Sequence, residues 1–280
     1  MSGVVAVLVI FLREGVEASM IVAILLAYLN RMGLRKYFRD VFLGVGAALL
    51  LAAGGGIAAY LTIRSYDGSR VQTVFETVTY LVAAIALTYM TFWMRNHARG
   101  LSGELHAKAD DAVAKGARLG LAVLAFQAVG REGLETVVFT LAIAFSTSGQ
   151  ATLVGASIGL AIALVIAFVI YKLGHRLNLG RFFAVVGALL IFFAAGLLAD
   201  AVQNMQELRW IRFGTQPLWN TSGLLSEDGT LGDILHSFFG YADSPTVLQV
   251  GVYVVYLVVA VVVFLRPRAK AAAGHRPSTV

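Results

Sequence analysis

The chain has 280 residues, 59% of them apolar and 14% charged, with a mean hydropathy of +0.79. Soluble domains carry about 25% charged residues, so composition excludes a soluble globular enzyme, and its apolar content excludes a disordered chain. The absence of cysteine removes disulfides, iron–sulfur clusters, thiolate zinc sites and cysteine nucleophiles. The net charge of +6 does not point to nucleic acid, because the basic residues flank apolar segments, which is the membrane pattern.

A membrane-spanning helix needs about 20 mostly apolar residues. Seven segments meet that length: Val4–Tyr28, Val41–Ile63, Val71–Met94, Leu119–Phe145, Ala151–Tyr171, Phe182–Ala199 and Val247–Leu265. The first reads as a span and not as a cleavable signal, since it lacks a basic leader and its apolar stretch is too long. Arg31, Arg35, Lys36 and Arg39 follow segment one; Arg95, Arg99, Lys108, Lys115 and Arg118 follow segment three. Lys172, Arg176 and Arg181 follow segment five; Arg266, Arg268, Lys270 and Arg276 follow segment seven. The opposite side carries only Arg64, Arg70, Arg209 and Arg212. This bias places the N-terminus outside and the C-terminus in the cytoplasm, and requires an odd number of spans. Residues 95–118 then form a cytoplasmic loop, 203–246 the long external loop, 247–268 the seventh helix and 269–280 a cytoplasmic tail. Short surface helices are compatible with the external loop, which holds Trp210, Pro217 and Trp219 and the acids Glu227, Asp228, Asp233 and Asp243.

Two basic residues fall outside the loops, Arg13 and Arg131, and each opens the same motif. Arg13-Glu14-Gly15-Val16-Glu17 lies mid-segment in the first span and Arg131-Glu132-Gly133-Leu134-Glu135 mid-segment in the fourth. The two spans have opposite predicted orientation. The chain is therefore expected to be an all-α polytopic membrane protein with seven transmembrane helices, N-out and C-in. Its plan is a three-plus-three inverted repeat, residues 1–94 and 119–202, with one extra helix, and such repeats place the substrate site at their interface.

A charge at the centre of a spanning helix costs about 2.5–3.5 kcal/mol. Six facing lipid would cost on the order of 18 kcal/mol, more than the roughly 5–15 kcal/mol that holds a typical fold. They are expected to face the interior and meet partners there. Glu14 and Glu17 share a helix face, as do Glu132 and Glu135, and each arginine reaches the second acid four residues on. Four carboxylates against two guanidiniums leave surplus negative charge, suited to a hard cation. Carboxylate oxygens alone favour iron(III), manganese, magnesium or calcium over copper(I). The five histidines are expected in loops or tails, which argues against histidine-ligated haem. Metal binding requires ionised carboxylates, so affinity falls on acidification. Gly15 and Gly133 allow close helix approach or bending. The competing reading is a closed Arg–Glu network that only locks helices together.

Glu76, Asp200 and Gln203 are candidate residues of an outer entry path, with Gln206 and Glu207 beyond them. Asp200 to Glu207 read equally well as a solvated helix end. Met90, Trp93 and Met94 read as core packing and an interfacial anchor in preference to a soft-metal site. Gly44, Gly46, Gly54, Gly55 and Gly56 read as a small-residue packing face.

Two such pentapeptides in the first and fourth helices of a seven-helix, N-out chain resemble the oxidase-dependent iron permease family, whose members are the fungal high-affinity iron permeases and the bacterial EfeU permeases. The resemblance covers nearly the whole chain, including Thr91-Phe92-Trp93-Met94-Arg95 and the stretch from Gly196 to Glu207. The lack of long inserts is more similar to the bacterial branch. The resemblance implies iron uptake across the cytoplasmic (inner) membrane, with iron as transported substrate and no organic cofactor. It implies Glu14, Glu17, Glu132 and Glu135 as ligands, supported by Arg13 and Arg131. It also implies an external iron-oxidising partner, a haem peroxidase with a cupredoxin-type protein in bacteria. The rival transporter is a proton-coupled exchanger for manganese, calcium or magnesium. An intramembrane enzyme using paired carboxylates lacks any nucleophile or metal–histidine set near the membrane centre.

Overall fold

The computed structural model describes residues 4–97, 101–114, 117–144, 149–173, 179–227 and 229–265. The tail 269–280, His175, His275 and Asp228 lie outside them. Among the described residues the chain is helical, and its only strand-like feature is an isolated bridge between Pro217 and Thr246. In chain order the helices are α1 (Val4–Arg31), α2 (Phe38–Arg64), α3 (Arg70–His97), α4 (Leu101–Ala114), α5 (Ala117–Ala144), α6 (Gly149–Leu173), α7 (Leu179–Glu207), α8 (Thr230–Phe239) and α9 (Val247–Leu265).

Seven of these fall on the seven apolar segments. By length and composition, the stretches Arg35–Arg64, Arg70–Met94, Gly149–Val169 and Val185–Glu207 are able to cross a membrane. Helices α1 and α5 have 28 residues each, but carry the pentapeptide charges at mid-length. The apolar stretch of α9 is shorter, Val247–Val263. The protein is thus a multi-pass membrane protein.

Two helices correct the sequence reading. The predicted loop 95–118 contains α4, whose Leu105, Ala109 and Ala112 are buried at i, i+4 and i+7. That helical period is short and weakly apolar, so it is easily taken for a loop. The sixth segment continues as α7 to Glu207, past Asp200, because the polar residues there stay in helix. Three histidines also lie in helices: His97 ends α3, His106 sits in α4 and His236 in α8.

Packing follows a simple scheme. Helix α1 lies along α6, α2 along α5, α3 along α7, and α1 crosses α5. Helix α9 packs on α7, and α4 on α5 and α1. One apolar cluster joins Ala6, Val7 and Ile10 of α1 to Phe139, Ala142 and Ile143 of α5, with Leu87 of α3 and Leu190 of α7. A second joins Leu25 and Leu29 of α1 to Leu121 and Ala125 of α5, with Val41 of α2 and Ala109 of α4. The first cluster takes residues before the pentapeptide in α1 but after it in α5, and the second does the reverse. Helices α1 and α5 are therefore antiparallel, and both pentapeptides lie in the layer between the two clusters.

Glycine sets the spacing of the long pairs. Gly155 and Gly159 of α6 abut the α1 backbone from Val4 to Leu12, and Gly44 of α2 abuts the carbonyl of Ala122 on α5. The rest of the predicted glycine face is only partly used. Gly56 meets Val137, whereas Gly46, Gly54 and Gly55 have nothing nearby. They lie on the outward side of α2, beside exposed Leu50, Leu51 and Ile57, where an apolar surface suits lipid.

A carboxylate cluster where two antiparallel helices cross

The pentapeptides meet. Glu14 from α1 and Glu132 and Glu135 from α5 each present a carboxylate oxygen, all within 4.8 Å of one another. Glu17 lies one turn along α1, beside Glu132 and within the field of Glu135. Arg13, Glu14, Glu17 and Glu132 are 2–5% exposed. Arg13 donates to Glu14 and forms an ion pair with Glu17 at 3.2 Å, the predicted i,i+4 contact. Arg131 Nε donates to Glu135 Oε1 at 3.0 Å.

The arginines do not satisfy the acids. Glu14 Oε2, Glu17 Oε1, Glu132 Oε2 and Glu135 Oε2 are buried without a hydrogen-bond partner, Glu17 Oε1 being held only through its ion pair with Arg13. A buried carboxylate oxygen left without a donor is costly. A closed Arg–Glu lock would have paired these atoms. The arrangement instead offers converging oxygen atoms, a donor set that suits a hard cation.

The motif glycines hold the layer together. A Cβ at Gly15 would stand 2.8 Å from Ala163 Cβ of α6, and one at Gly133 would stand 2.9 Å from Ala52 Cβ of α2. The first pentapeptide is thus pressed against α6 and the second against α2.

The entry-path candidates separate into two groups. Glu76 of α3 accepts a hydrogen bond from Gln72 at 2.8 Å and lies beside Asn204 and Glu207 of α7. Buried Tyr80 stands between Glu76, Glu207 and Asp200. Gln203 is turned to a different task. It accepts from Gln249 of α9 at 3.0 Å and donates to Glu207 at 3.3 Å. Gln249, 4% exposed, also accepts from the Thr246 amide at 2.6 Å, so these glutamines fasten α9 to α7.

Two features escaped sequence reasoning. The first is His236 of α8, whose Nδ1 lies 3.0 Å from Glu227 Oε1 and whose Nε2 lies 4.0 Å from Asp200 Oδ2. Burial pulls its pKa down, but the Glu227 hydrogen bond and the Asp200 and Glu227 charges outweigh that and lift it to about 9. The Glu227 carboxyl is correspondingly lowered by its hydrogen bond to His236. Sequence separation of 36 residues hides the Asp200–His236 contact. The second is Trp93, whose ring lies under the Arg131 guanidinium at 5.0 Å.

The chain has relatives among known proteins. Residues 4–274 match the Iron permease FTR1 family. The protein named "Ferrous iron permease EfeU" from Escherichia coli O157:H7 is 37% identical over 269 residues, covering 95% of this chain and 97% of its own. Its namesake from Yersinia pestis is 35% identical over 260 residues, 92% of each chain. No solved structure matches the chain. The match along nearly the whole length, with both pentapeptides inside it, makes this chain a member of the iron permease FTR1 family.

Proposed function

We propose that the chain is an iron uptake permease of the cytoplasmic membrane, with Glu14, Glu17, Glu132 and Glu135 as the ligands of the passing ion. The observation that carries this reading is the convergence of acids from both pentapeptides within 4.8 Å, each keeping a buried oxygen without a hydrogen-bond partner. Relatives bearing the name ferrous iron permease give the cargo its identity. Seven spans in an N-out, C-in arrangement follow from the basic-residue bias.

The helix contacts support a three-plus-three inverted repeat of α1–α3 and α5–α7. Exchanging the halves turns the α1–α6 contact into α5–α2 and returns α1–α5 and α3–α7 unchanged, and all four contacts are present. Antiparallel α1 and α5 are what such an axis requires. On this reading iron arrives past Glu76 and Asp200, rests among the four acids and leaves when the halves rearrange. Arg13 and Arg131 orient the acids and temper their charge, so the ion is held but not trapped. An external oxidising partner, haem peroxidase with cupredoxin-type protein, belongs to the same reading.

The test is Glu→Ala at each of the four acids, with iron uptake and membrane insertion measured in parallel. Uptake is abolished and insertion preserved. Normal uptake by Glu17→Ala and Glu135→Ala would remove the proposal. Competition with manganese, calcium and magnesium separates iron uptake from hard-cation exchange, because only an exchanger for those ions is blocked by them at equal concentration.

A further inference from the structure

The two pentapeptide arginines have unequal surroundings. The Arg13 side chain is 3% exposed and that of Arg131 is 44% exposed. The motifs share one residue order and the helices run antiparallel, so Arg13 lies toward the Ile10–Phe139 cluster and Arg131 toward the Leu25–Leu121 cluster. A guanidinium at mid-helix that is not enclosed by the fold needs some other partner to hold it.

Trp93 of α3 supplies one. The Arg131 Cζ lies 5.0 Å from its ring centroid, while Arg131 Nε donates to Glu135. A ring under the guanidinium and a carboxylate at its edge fix a planar cation in two directions at once. The ring is itself anchored, because its neighbours Met90, Thr91 and Met94 are buried at 1–6% exposure. Without the ring, Arg131 keeps only its tether to Glu135. It is then free to turn toward the unpartnered oxygens Glu132 Oε2 and Glu135 Oε2. There it would compete with a metal ion.

We propose that Trp93 is a positioning residue of the carboxylate centre: its ring holds Arg131 against Glu135 at the edge of the cluster and keeps the guanidinium off the oxygens that receive the ion. This rests on the cluster being the iron site. The role is electrostatic and not one of filling space, so an aromatic replacement serves and an aliphatic one does not.

The experiment compares Trp93→Phe with Trp93→Leu in the full chain, reading KM and maximal rate of radiolabelled iron uptake at matched membrane levels. Trp93→Leu raises KM several-fold, within the roughly 2- to 30-fold span of exposed to desolvated cation–π contacts, and leaves the maximal rate nearly unchanged. Trp93→Phe stays near the parent. Equal behaviour of the two variants, whether both normal or both impaired, overturns the proposal. A second reading needs neither uptake nor a Trp93 variant. In protein whose Trp210 and Trp219 are replaced by Phe, the remaining tryptophan emission shifts on Arg131→Gln. Unchanged emission overturns the contact, even where the four Glu→Ala variants have upheld the iron site. Loss of the iron reading leaves this spectroscopic result standing.

Discussion

Gly15 lies so close to Ala163 that a β-carbon at position 15 would stand 2.8 Å from the alanine methyl. Both atoms are fixed to helix backbones, and Ala163 is fully buried, so neither can rotate away. Gly15→Ala therefore forces α1 and α6 apart, at a cost of about 1–3 kcal/mol. The variant is expected to melt earlier in detergent and to lose uptake. Adding Ala163→Gly removes the clash and restores both. Failure of that second change to rescue stability would show that glycine is needed at 15 for a reason other than clearance.

Arg13 and Arg131 are expected to differ when each is replaced by Gln. Loss of Arg13 leaves Glu14 and Glu17 buried without their cation, and breaking a buried ion pair costs about 3–5 kcal/mol. Arg131 is less enclosed, pairs with Glu135 and stacks on Trp93, so its loss leaves one acid without its cation instead of two and costs less stability. Thermal unfolding of the two variants in the same detergent checks the order. Equal destabilisation contradicts it.

The attachment of α8 is expected to depend on pH. His236 has a folded pKa of about 9, above its ordinary 6.5. Its contribution is complete below 6.5 and is lost as pH rises through about 9. Glu227 is lowered from 4.5, so its contribution is present above that value and lost as pH falls through its folded pKa. Residues 208–246 should be most resistant to proteolysis between about pH 4.5 and 6.5, and progressively more open above. His236→Gln removes the alkaline limb of that profile. A flat profile in the parent protein refutes it.

Iron itself should stabilise the fold. A ligand at one hundred times its dissociation constant adds about 2.7 kcal/mol to the state that binds it. The melting temperature of purified protein is expected to rise with added iron. Glu135→Ala abolishes the rise, and so does lowering pH until the acids are protonated. A rise that persists in Glu135→Ala places the ion elsewhere.

Much of this arrangement was legible in the residues. Twenty-residue apolar runs announce their helices, because lipid leaves the backbone no other way to pair its polar groups. The cost of six mid-helix charges predicts that Arg13 to Glu17 and Arg131 to Glu135 seek each other, and the cluster within 4.8 Å is that encounter. Helix α4 was not legible, since a 14-residue amphipathic helix with small buried residues resembles a polar loop. The His236–Asp200 contact and the Trp93–Arg131 stacking were hidden for a different reason. Both join segments far apart in the chain, and no periodicity within one helix reports on which neighbour it meets. The unequal exposure of the two arginines was equally invisible, because pentapeptides that differ only in Val16 against Leu134 carry no sign of their different surroundings.

The meeting of Glu14 with Glu132 and Glu135 makes one carboxylate cluster, and not two, out of two copies of the motif. The chain holds two copies of the motif but no spare. On the proposed reading a lesion in either copy empties the same ion site, so defects in the first and second motifs should give the same null phenotype, with no half-active class between.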